Sequence, residues 1–467
     1  MNGEAKKILF VLRSAEYLHY FFSLVQSLLD RGYEMRILAE KKWTADSSLA
    51  AFEALKKQYP MLSYGWAESR LGFWQKVLFH TRELLSFRRY LIVKEHAQSR
   101  YYRDRYLGYL PRRIQAALTY GWVRRFLASR LCRWALKMAE RIAPAAPGII
   151  RDLRSFSPVA VIASPVDLRF PGSDLEYLKA AKRLAIPTAL PVLSWDNLTT
   201  KGLIHVMPDR LLVWNDVQVD EAGGHQNIPN RIVRIVGSPV FDIWFSKLSP
   251  SFTREEFCGR YNLRASDPIV VYLGSSSHMA EDETWLVEEI RKVFDTSVDE
   301  RIRRTQIIIR PHPSNSRIYE RLALRDTIVL PKEGTLPDTD DALQLFYDTL
   351  HHSVAAIDGA NTSGIIDAMI AGKPGIAILT EEYKKTQSDT KHFNQLVDAG
   401  ALYLSQGAEG MPEIVAYLLE GKDELEVKRK AFIGRYIRPR GLDRAAGDIA
   451  ADEIEILMQE VQKSVVT

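Results

Sequence analysis

Arg310-Pro311-His312-Pro313 follows the apolar run Gln306 to Ile309, and Ala360-Asn361-Thr362-Ser363-Gly364 follows Val354 to Ile357 and opens a helix that reaches Gly372-Lys373-Pro374. Each stretch is a strand-to-loop junction that carries small, polar or cationic groups. Two such junctions side by side are what a protein needs to hold a diphosphate and the group attached to it. Whether they lie side by side depends on the fold, which the flanking sequence indicates.

On either side of this stretch the chain alternates strand and helix. From Pro268 the expected order is a strand over Ile269 to Leu273, a helix over Trp285 to Phe294, the Gln306 to Ile309 strand, and a strand over Thr327 to Leu330. A helix over Asp341 to Leu350, the Val354 to Ile357 strand, a helix over Ile365 to Ala371 and a strand over Gly375 to Leu379 follow. The first half starts in the same way, with Lys7 to Leu12, a helical Tyr20 to Leu29 stopped at Gly32, and Glu34 to Ala39. Strand, helix, Gly turn and strand imply parallel sheets with right-handed crossovers. The rhythm resumes at Val159 to Ala163, Asp174 to Leu184, Thr188 to Leu193, Arg210 to Trp214 and Ile232 to Val236, and Leu248 to Phe252 reads as a crossover between two halves.

At 467 residues, 46% hydrophobic and 26% charged, the chain is a globular protein too long for one core. Two cysteines, Cys132 and Cys258, exclude a disulfide framework or a cysteine zinc site. No apolar run reaches the roughly 18 residues of a membrane span, and the first residues run into a strand without a cleavage-site pattern. The expected location is therefore cytoplasmic, or peripheral on the inner face of the cytoplasmic membrane.

Charge is segregated. Between Arg70 and Ile150 there are 17 Lys and Arg against four acids, a local +13 that leaves −8 for the rest of a chain with net charge +5. Here Trp74, Val77, Leu78, Leu84, Leu85 and Phe87 interleave with Lys76, Arg82, Arg88 and Arg89, and Trp122, Phe126, Leu127 and Trp134 with Arg124, Arg125, Arg130 and Arg133. Basic amphipathic helices of this kind suit an anionic membrane surface, and equally a helical insertion packed on its own domain with a solvated basic face. No nucleic-acid module is present, and none is expected as a partner.

Open parallel sheets bind ligands beyond the carboxyl ends of their strands, so the loops after Leu12, Ala163, Leu193, Leu273, Ile309 and Ile357 hold the candidates. Gly274, Ser275, Ser276 and Ser277 offer backbone N–H groups and hydroxyls to an anion, or form a plain turn. Asn361, Thr362 and Ser363 open a helix whose dipole favours phosphate, with ordinary capping as the alternative. Asp367, one turn further, is placed for ribose hydroxyls or is a surface acid. Arg310 and a rigidly held His312 can bind a diphosphate and stabilise a leaving nucleotide in place of a metal. The Asp338 to Asp341 acids read as a helix cap, so no metal site is expected. In the first half Asp196, Asp167, Glu16 and His19 are acid/base candidates. Asp196 is preferred because Trp195 can wall its carboxylate, with Arg13, Asp167, Trp195, Asn197 and Lys201 as acceptor-binding groups.

Two α/β halves, a crossover, and the Arg310-Pro311-His312-Pro313 and Thr362-Ser363, Asp367, Gly372-Lys373-Pro374 signatures resemble the GT-B superfamily of glycosyltransferases. Within it, the chain resembles the bacterial surface-polysaccharide enzymes of the CDP-glycerol glycerophosphotransferase and UDP-GlcNAc 2-epimerase-like group. The resemblance covers about residues 5 to 60 and 155 to 440. It implies an α/β fold of two Rossmann-like domains with parallel sheets facing across a cleft. Residues 1–247 would be the acceptor domain, with a basic helical insertion at about 66–150. Residues 248–440 would be the nucleotide-donor domain, and residues 441–467 a helix crossing back to the first.

In the glycerophosphotransferases a Trp-His-Gly loop supplies a base and a His-Pro loop the donor-phosphate site. His312-Pro313 matches the second, but Trp195-Asp196 replaces the histidine of the first by a carboxylate. The expectation is therefore a metal-independent glycosyltransferase without cofactor, with Asp196 and His312 as catalytic residues. It would move a sugar from a nucleotide-activated donor to a glycan or lipid-linked acceptor in surface-polysaccharide synthesis. A CDP-glycerol or CDP-ribitol phosphotransferase and a non-catalytic membrane or protein adaptor are the alternatives. The multiple catalytic carboxylates and histidine of an epimerase have no placeable counterparts.

Overall fold

The computed structural model describes residues 5–44, 49–93, 100–163, 172–245, 248–337 and 339–466. The chain divides into two units, Met1–Asp242 with Tyr436–Thr467, and Ile243–Arg435. Each is built on a wholly parallel sheet. The first contains β1 (Lys7–Leu12), β2 (Glu34–Ala39), β3 (Leu62–Trp66), β4 (Ala160–Ala163), β5 (Thr188–Pro191), β6 (Arg210–Val213) and β7 (Val233–Ile235). The second contains β8 (Ile269–Leu273), β9 (Gln306–Arg310), β10 (Thr327–Val329), β11 (Ala355–Asp358), β12 (Gly375–Leu379) and β13 (Leu402–Gln406).

The strand orders are β3-β2-β1-β4-β5-β6-β7 and β10-β9-β8-β11-β12-β13. In both sheets the chain adds two strands to one side of its first strand, then returns and adds the rest to the other. That reversal creates a crevice outside the carboxyl ends of β1 and β4, and of β8 and β11. The register is continuous across the second reversal, with Tyr272 opposite Ile309 of β9 and Ile357 of β11.

Central strands buried on both faces explain the unbroken apolar runs in the sequence. In β1, Ile8, Phe10 and Leu12 join one core with Phe21, Leu24 and Leu28. Leu9 and Val11 join another with Ile149, Leu153 and Tyr177 on the opposite face. In the second unit Val270 and Tyr272 meet Leu286, Ile290, Phe294, Ile307 and Ile309.

β3 and β13 were not anticipated from sequence, and both are edge strands. Leu62-Ser63-Tyr64-Gly65-Trp66 is only partly buried, so it lacks the apolar continuity that marks a central strand. The basic insertion therefore starts after Trp66 rather than at it. The expected helix over Tyr20 to Leu29 is a 3-10 segment, Ala15–Phe21, running into an α-helix, Phe22–Asp30. The helix Asp216–Gln226, capped by Asn215, is a further addition.

The last helix, Ala446–Val466, packs on Phe22–Asp30 and adds Ile449, Ile454 and Leu457 to the core around β1. A Cβ at Gly447 would lie 2.5 Å from the Ser23 carbonyl carbon, so only glycine permits this approach. Asp242 fixes the start of the helix. Its carboxylate accepts the N–H groups of Ala446 (2.9 Å) and Gly447 (2.8 Å), the Ser23 hydroxyl (2.7 Å) and the Arg438 guanidinium (2.7 Å).

Between β3 and β4 the helices Phe73–Ile92, Arg100–Tyr109, Arg112–Ala117, Gly121–Ala128 and Arg130–Ile142 enclose a small core of Phe87, Tyr90, Tyr106, Leu110, Leu118, Leu127 and Cys132. Several of the basic residues point inward. Glu176 bridges Arg70 Nε (2.6 Å) and Arg82 Nη1 (2.7 Å), and Arg82 also binds Glu140 (2.8 Å), which holds Lys179 (2.9 Å). Arg88 donates to the carbonyls of Leu127 and Ala128. Among the described residues no helix is long and apolar enough to cross a membrane. Glu176→Ala, which takes from buried Arg70 its carboxylate partner and leaves Arg82 only Glu140, should lower the unfolding free energy by about 3 kcal/mol. Denaturant titration will measure this, and a loss below about 1 kcal/mol would show that water reaches the network.

Candidate functional site

In the second unit the groups anticipated from sequence converge on one edge of the sheet, because parallel strands deliver every following loop to the same side. Gly274 directly follows β8, close against the end of β9: its N–H donates to the Arg310 carbonyl at 2.8 Å, and a Cβ would lie 2.7 Å from the Tyr319 hydroxyl. Ser275 is buried and donates its N–H to Glu283. Ser276 is half-buried and Ser277 exposed, with Ser277 N–H 3.4 Å from Ser314 Oγ.

Arg310 is buried with its guanidinium 4.1 Å from the centre of the Phe346 ring, and Nη2 donates to the Thr335 carbonyl and hydroxyl, both at 3.2 Å. Burial lowers its pKa to about 10, so it stays charged at neutral pH. His312 caps the 3-10 segment Pro313–Arg321. The Ser314 N–H donates to its Nδ1 at 3.1 Å, and Ser314 Oγ lies 2.9 Å from the same nitrogen. Nδ1 is thus an acceptor, and the neutral ring carries its proton on Nε2. Burial, followed by the nearby His278, lowers the His312 pKa and favours that neutral form.

Beyond β11, Asn361 sits at φ 71°, in the left-handed region that asparagine tolerates, and its Nδ2 donates to the Thr386 carbonyl (2.9 Å) and Thr390 Oγ1 (3.2 Å). Thr362 is half-buried, and exposed Ser363 makes no capping bond to the Gly364–Ile370 helix. Asp367 is neither at the surface nor a cap. It is buried, with the Trp244 indole donating to it and Arg310 nearby, and burial raises its pKa to about 8 against both.

Four further polar residues at this edge were not singled out from sequence. Asp358, the last residue of β11, accepts the N–H groups of Thr362 (3.0 Å) and Ala360 (3.3 Å), and burial followed by the charge of Glu283 raises its pKa to about 7. Glu283 is itself buried and accepts from the hydroxyls of Tyr272 (3.0 Å) and Tyr319 (2.8 Å). His392 Nε2 lies 2.8 Å from Asn361 Nδ2, and Gln387 is buried close by. Ser275 Oγ, Arg310 Nη1, Asp358 Oδ2, Asn361 Oδ1 and both amide atoms of Gln387 are buried without a hydrogen-bond partner among the described residues. Each such atom costs about 1–3 kcal/mol. Their grouping at the carboxyl ends of β8, β9 and β11 and after β12 sets this edge apart from the apolar core around Val270 and Tyr272.

The first unit places its candidates on the corresponding edge of its own sheet. Arg13, directly after β1, is buried 3.9 Å from Asp174, whose pKa burial raises to about 6. Glu16 and His19 lie on the 3-10 segment Ala15–Phe21, where His19 Nδ1 meets the Glu16 carbonyl. Asp167 lies outside the described residues. Trp195, Asp196 and Lys201 are half-buried in the loop after β5. Asp196 accepts Ser194 Oγ–H on one oxygen (2.5 Å) and Thr200 Oγ1–H on the other (2.7 Å), which fixes the plane of its carboxylate. Its side chain makes no capping bond to the Asn197–Thr200 turn. Asn197 is buried, and its Oδ1 accepts the Leu193 N–H at 3.1 Å.

The helical insertion supports this loop. Arg89 donates to the carbonyls of Leu198 and Lys201, Ser86 Oγ accepts the Leu203 N–H at 3.0 Å, and Gln226 Nε2 donates to Leu198 from the other side at 2.8 Å.

No protein-family model and no curated protein matches the sequence. Solved structures do match in fold. A UDP-GlcNAc 2-epimerase from Methanocaldococcus jannaschii aligns with a TM-score of 0.54 at 13% identity, over 96% of this chain and 99% of that one. A UDP-GlcNAc 2-epimerase from Neisseria meningitidis, bound to UDP-GlcNAc, aligns at 0.53 and 12% identity over 97% and 99%. A glycosyltransferase from Rickettsia africae aligns at 0.54 and 11% identity over 99% and 100%. The α/β architecture expected from the GT-B resemblance, with a parallel sheet in each half, is thus the one observed, and at these identities the likeness is one of fold.

Proposed function

We propose that the protein is a sugar-nucleotide enzyme whose second unit binds the diphosphate and nucleoside of an activated sugar at the crevice outside β8 and β11, and that its reaction is metal-independent glycosyl transfer. The observation that carries this reading is the group of buried, unpartnered polar atoms on Ser275, Arg310, Asp358, Asn361 and Gln387. They cluster where the strand order reverses, the position at which open parallel sheets take their ligands. Arg310 supplies fixed positive charge, and His312 presents Nε2–H to a phosphate oxygen without needing to be protonated. The fold shared with proteins named as glycosyltransferases and UDP-GlcNAc 2-epimerases supports the same substrate class.

In the transfer, the bond from the anomeric carbon to the diphosphate oxygen breaks as a bond to an acceptor hydroxyl oxygen forms. The hydroxyl proton passes to Asp196, whose carboxylate is oriented by Ser194 and Thr200. The nucleoside diphosphate leaves with its negative charge stabilised by Arg310 and His312. The acceptor is a glycan or a lipid-linked glycan. A second reading, 2-epimerisation of the same donor, is favoured by the buried carboxyls Asp358 and Glu283 beside the crevice. Product analysis separates the two, because epimerisation needs no acceptor and leaves the nucleotide attached.

A thermal-shift panel of UDP, GDP, CDP and CMP, followed by turnover with the corresponding activated sugars and alditols, tests the reading. Stabilisation by at least one nucleoside diphosphate is expected, and no response to any of them would remove it. His312→Ala should weaken nucleotide binding about 10- to 100-fold, the worth of one hydrogen bond to a charged group. Asp196→Asn should lower turnover about 10²- to 10⁴-fold with binding unchanged. The opposite pattern would exchange the two roles.

Asp358 gives a pH signature. The folded protein keeps its proton to about pH 7, whereas the unfolded chain loses it near about 3.9. Across that window the folded state binds more protons, so stability falls as pH rises. Asp358→Asn should remove this part of the slope in melting temperature against pH. An unchanged slope would mean that Asp358 is already ionised in the folded state.

A further inference from the structure

The sequence groups the basic residues between Arg70 and Ile150 together, but the structure divides them. Arg70, Arg82, Arg88 and Arg89 are buried and bonded within the fold. The helices Gly121–Ala128 and Arg130–Ile142 behave differently. In the first, Trp122 and Phe126, one turn apart, point outward while Leu127 is buried. In the second, Leu131, Trp134 and Ile142 form an outward stripe while Cys132 joins the local core. These five side chains are between 55% and 71% exposed. A surface helix normally turns its polar residues to water, so apolar outer faces on two consecutive helices need a partner.

The charges beside these faces identify the partner. Arg125, Arg130, Lys137 and Arg141 are exposed and Arg133 half-exposed, and none of the five has an ion pair among the described residues. The one acid between residues 105 and 151, Glu140, is committed to Arg82 and Lys179. Partial desolvation of its stem, and then the charges of Arg133, Arg141 and Arg88, hold the Lys137 pKa below its ordinary value, and an anionic counter-surface would relieve the charge repulsion. A second copy of this chain would bring the same positive face and repel. A nucleic acid would satisfy the arginines but leave Leu131 and Ile142 without a role. A bilayer with anionic lipids satisfies both sets of groups, since Trp side chains settle at the boundary between headgroups and acyl chains and long basic side chains reach the phosphates.

We propose that the helices Gly121–Ala128 and Arg130–Ile142 dock the protein on an anionic lipid surface, with Trp122, Phe126, Leu131 and Trp134 in the interface and the adjacent arginines on lipid phosphates. The test uses the full chain without nucleotide, so its outcome is independent of the reaction proposed above. Protein is sedimented with phosphatidylcholine vesicles with and without phosphatidylglycerol, at low and high salt. Binding should require phosphatidylglycerol and weaken with salt. Trp122→Ser with Trp134→Ser, and separately Arg130→Glu with Arg133→Glu, should each lower vesicle binding about tenfold or more. All four residues lie outside the buried network, so the melting temperature should stay at the wild-type value. Three results would each overturn the proposal: no sedimentation with anionic vesicles at low salt, equal binding by the charge-reversed variant, or a change of oligomeric state on replacing the two tryptophans.

Discussion

Parallel pairing is the constraint from which the arrangement of this protein follows. A strand that pairs with its neighbour in the same direction cannot be reached by a tight turn, so each strand needs a crossover, usually a helix, packed on a face of the sheet. Both faces are then covered, the central strands become apolar throughout, and polar groups are confined to the loops at the two edges. At the carboxyl edge of the second sheet β9 ends on Arg310, and the loops after β8, β9 and β11 carry Ser275, His312 and Asn361. Residues as far apart in the chain as Ser275 and Asn361 are delivered to one edge of the sheet, because their strands are neighbours in the ladder.

The same ladder explains what could be read in advance. Lys7–Leu12, Glu34–Ala39, Ile269–Leu273 and Gly375–Leu379 are legible as strands because central strands are marked by unbroken apolar runs. Arg310 and His312 stand out because two prolines bracket an imidazole after such a run. Glu283 does not, since it follows Glu281 and Asp282 and looks like one more acid at the start of a helix. Its burial comes from Tyr272 and Tyr319, and the Tyr319 contact spans 36 residues. Asp367 illustrates the converse: its position one turn into a helix is readable, but Trp244 and Arg310, which withdraw it from solvent, are not.

The basic insertion shows where composition stops being informative. Helical periodicity identifies two faces, but it cannot say which face turns inward when both carry arginine and aromatic residues. The choice is made by Glu176, Glu140 and backbone carbonyls far away in sequence, which draw Arg70, Arg82, Arg88 and Arg89 into the fold. One consequence is local to the proposed chemistry. Arg89 and Ser86 hold the segment 198–203, so the helix Phe73–Ile92 is part of the support of the Asp196 loop as well as a surface feature.

The junction at Gly447 and Asp242 bears on the order of events during synthesis. The Ala446–Val466 helix completes the core around β1, yet it emerges from the ribosome only after the whole of Ile243–Arg435. Until then Phe22–Asp30 lacks the neighbour that lies against Ser23 and Leu24, and the Asp242 carboxylate lacks the two N–H groups it later receives. The second unit has every strand of its sheet by Gln406 and can fold while the first is still waiting. The nascent chain is therefore expected to mature in reverse, with its leading half exposed to chaperones and proteases for longer than its trailing one.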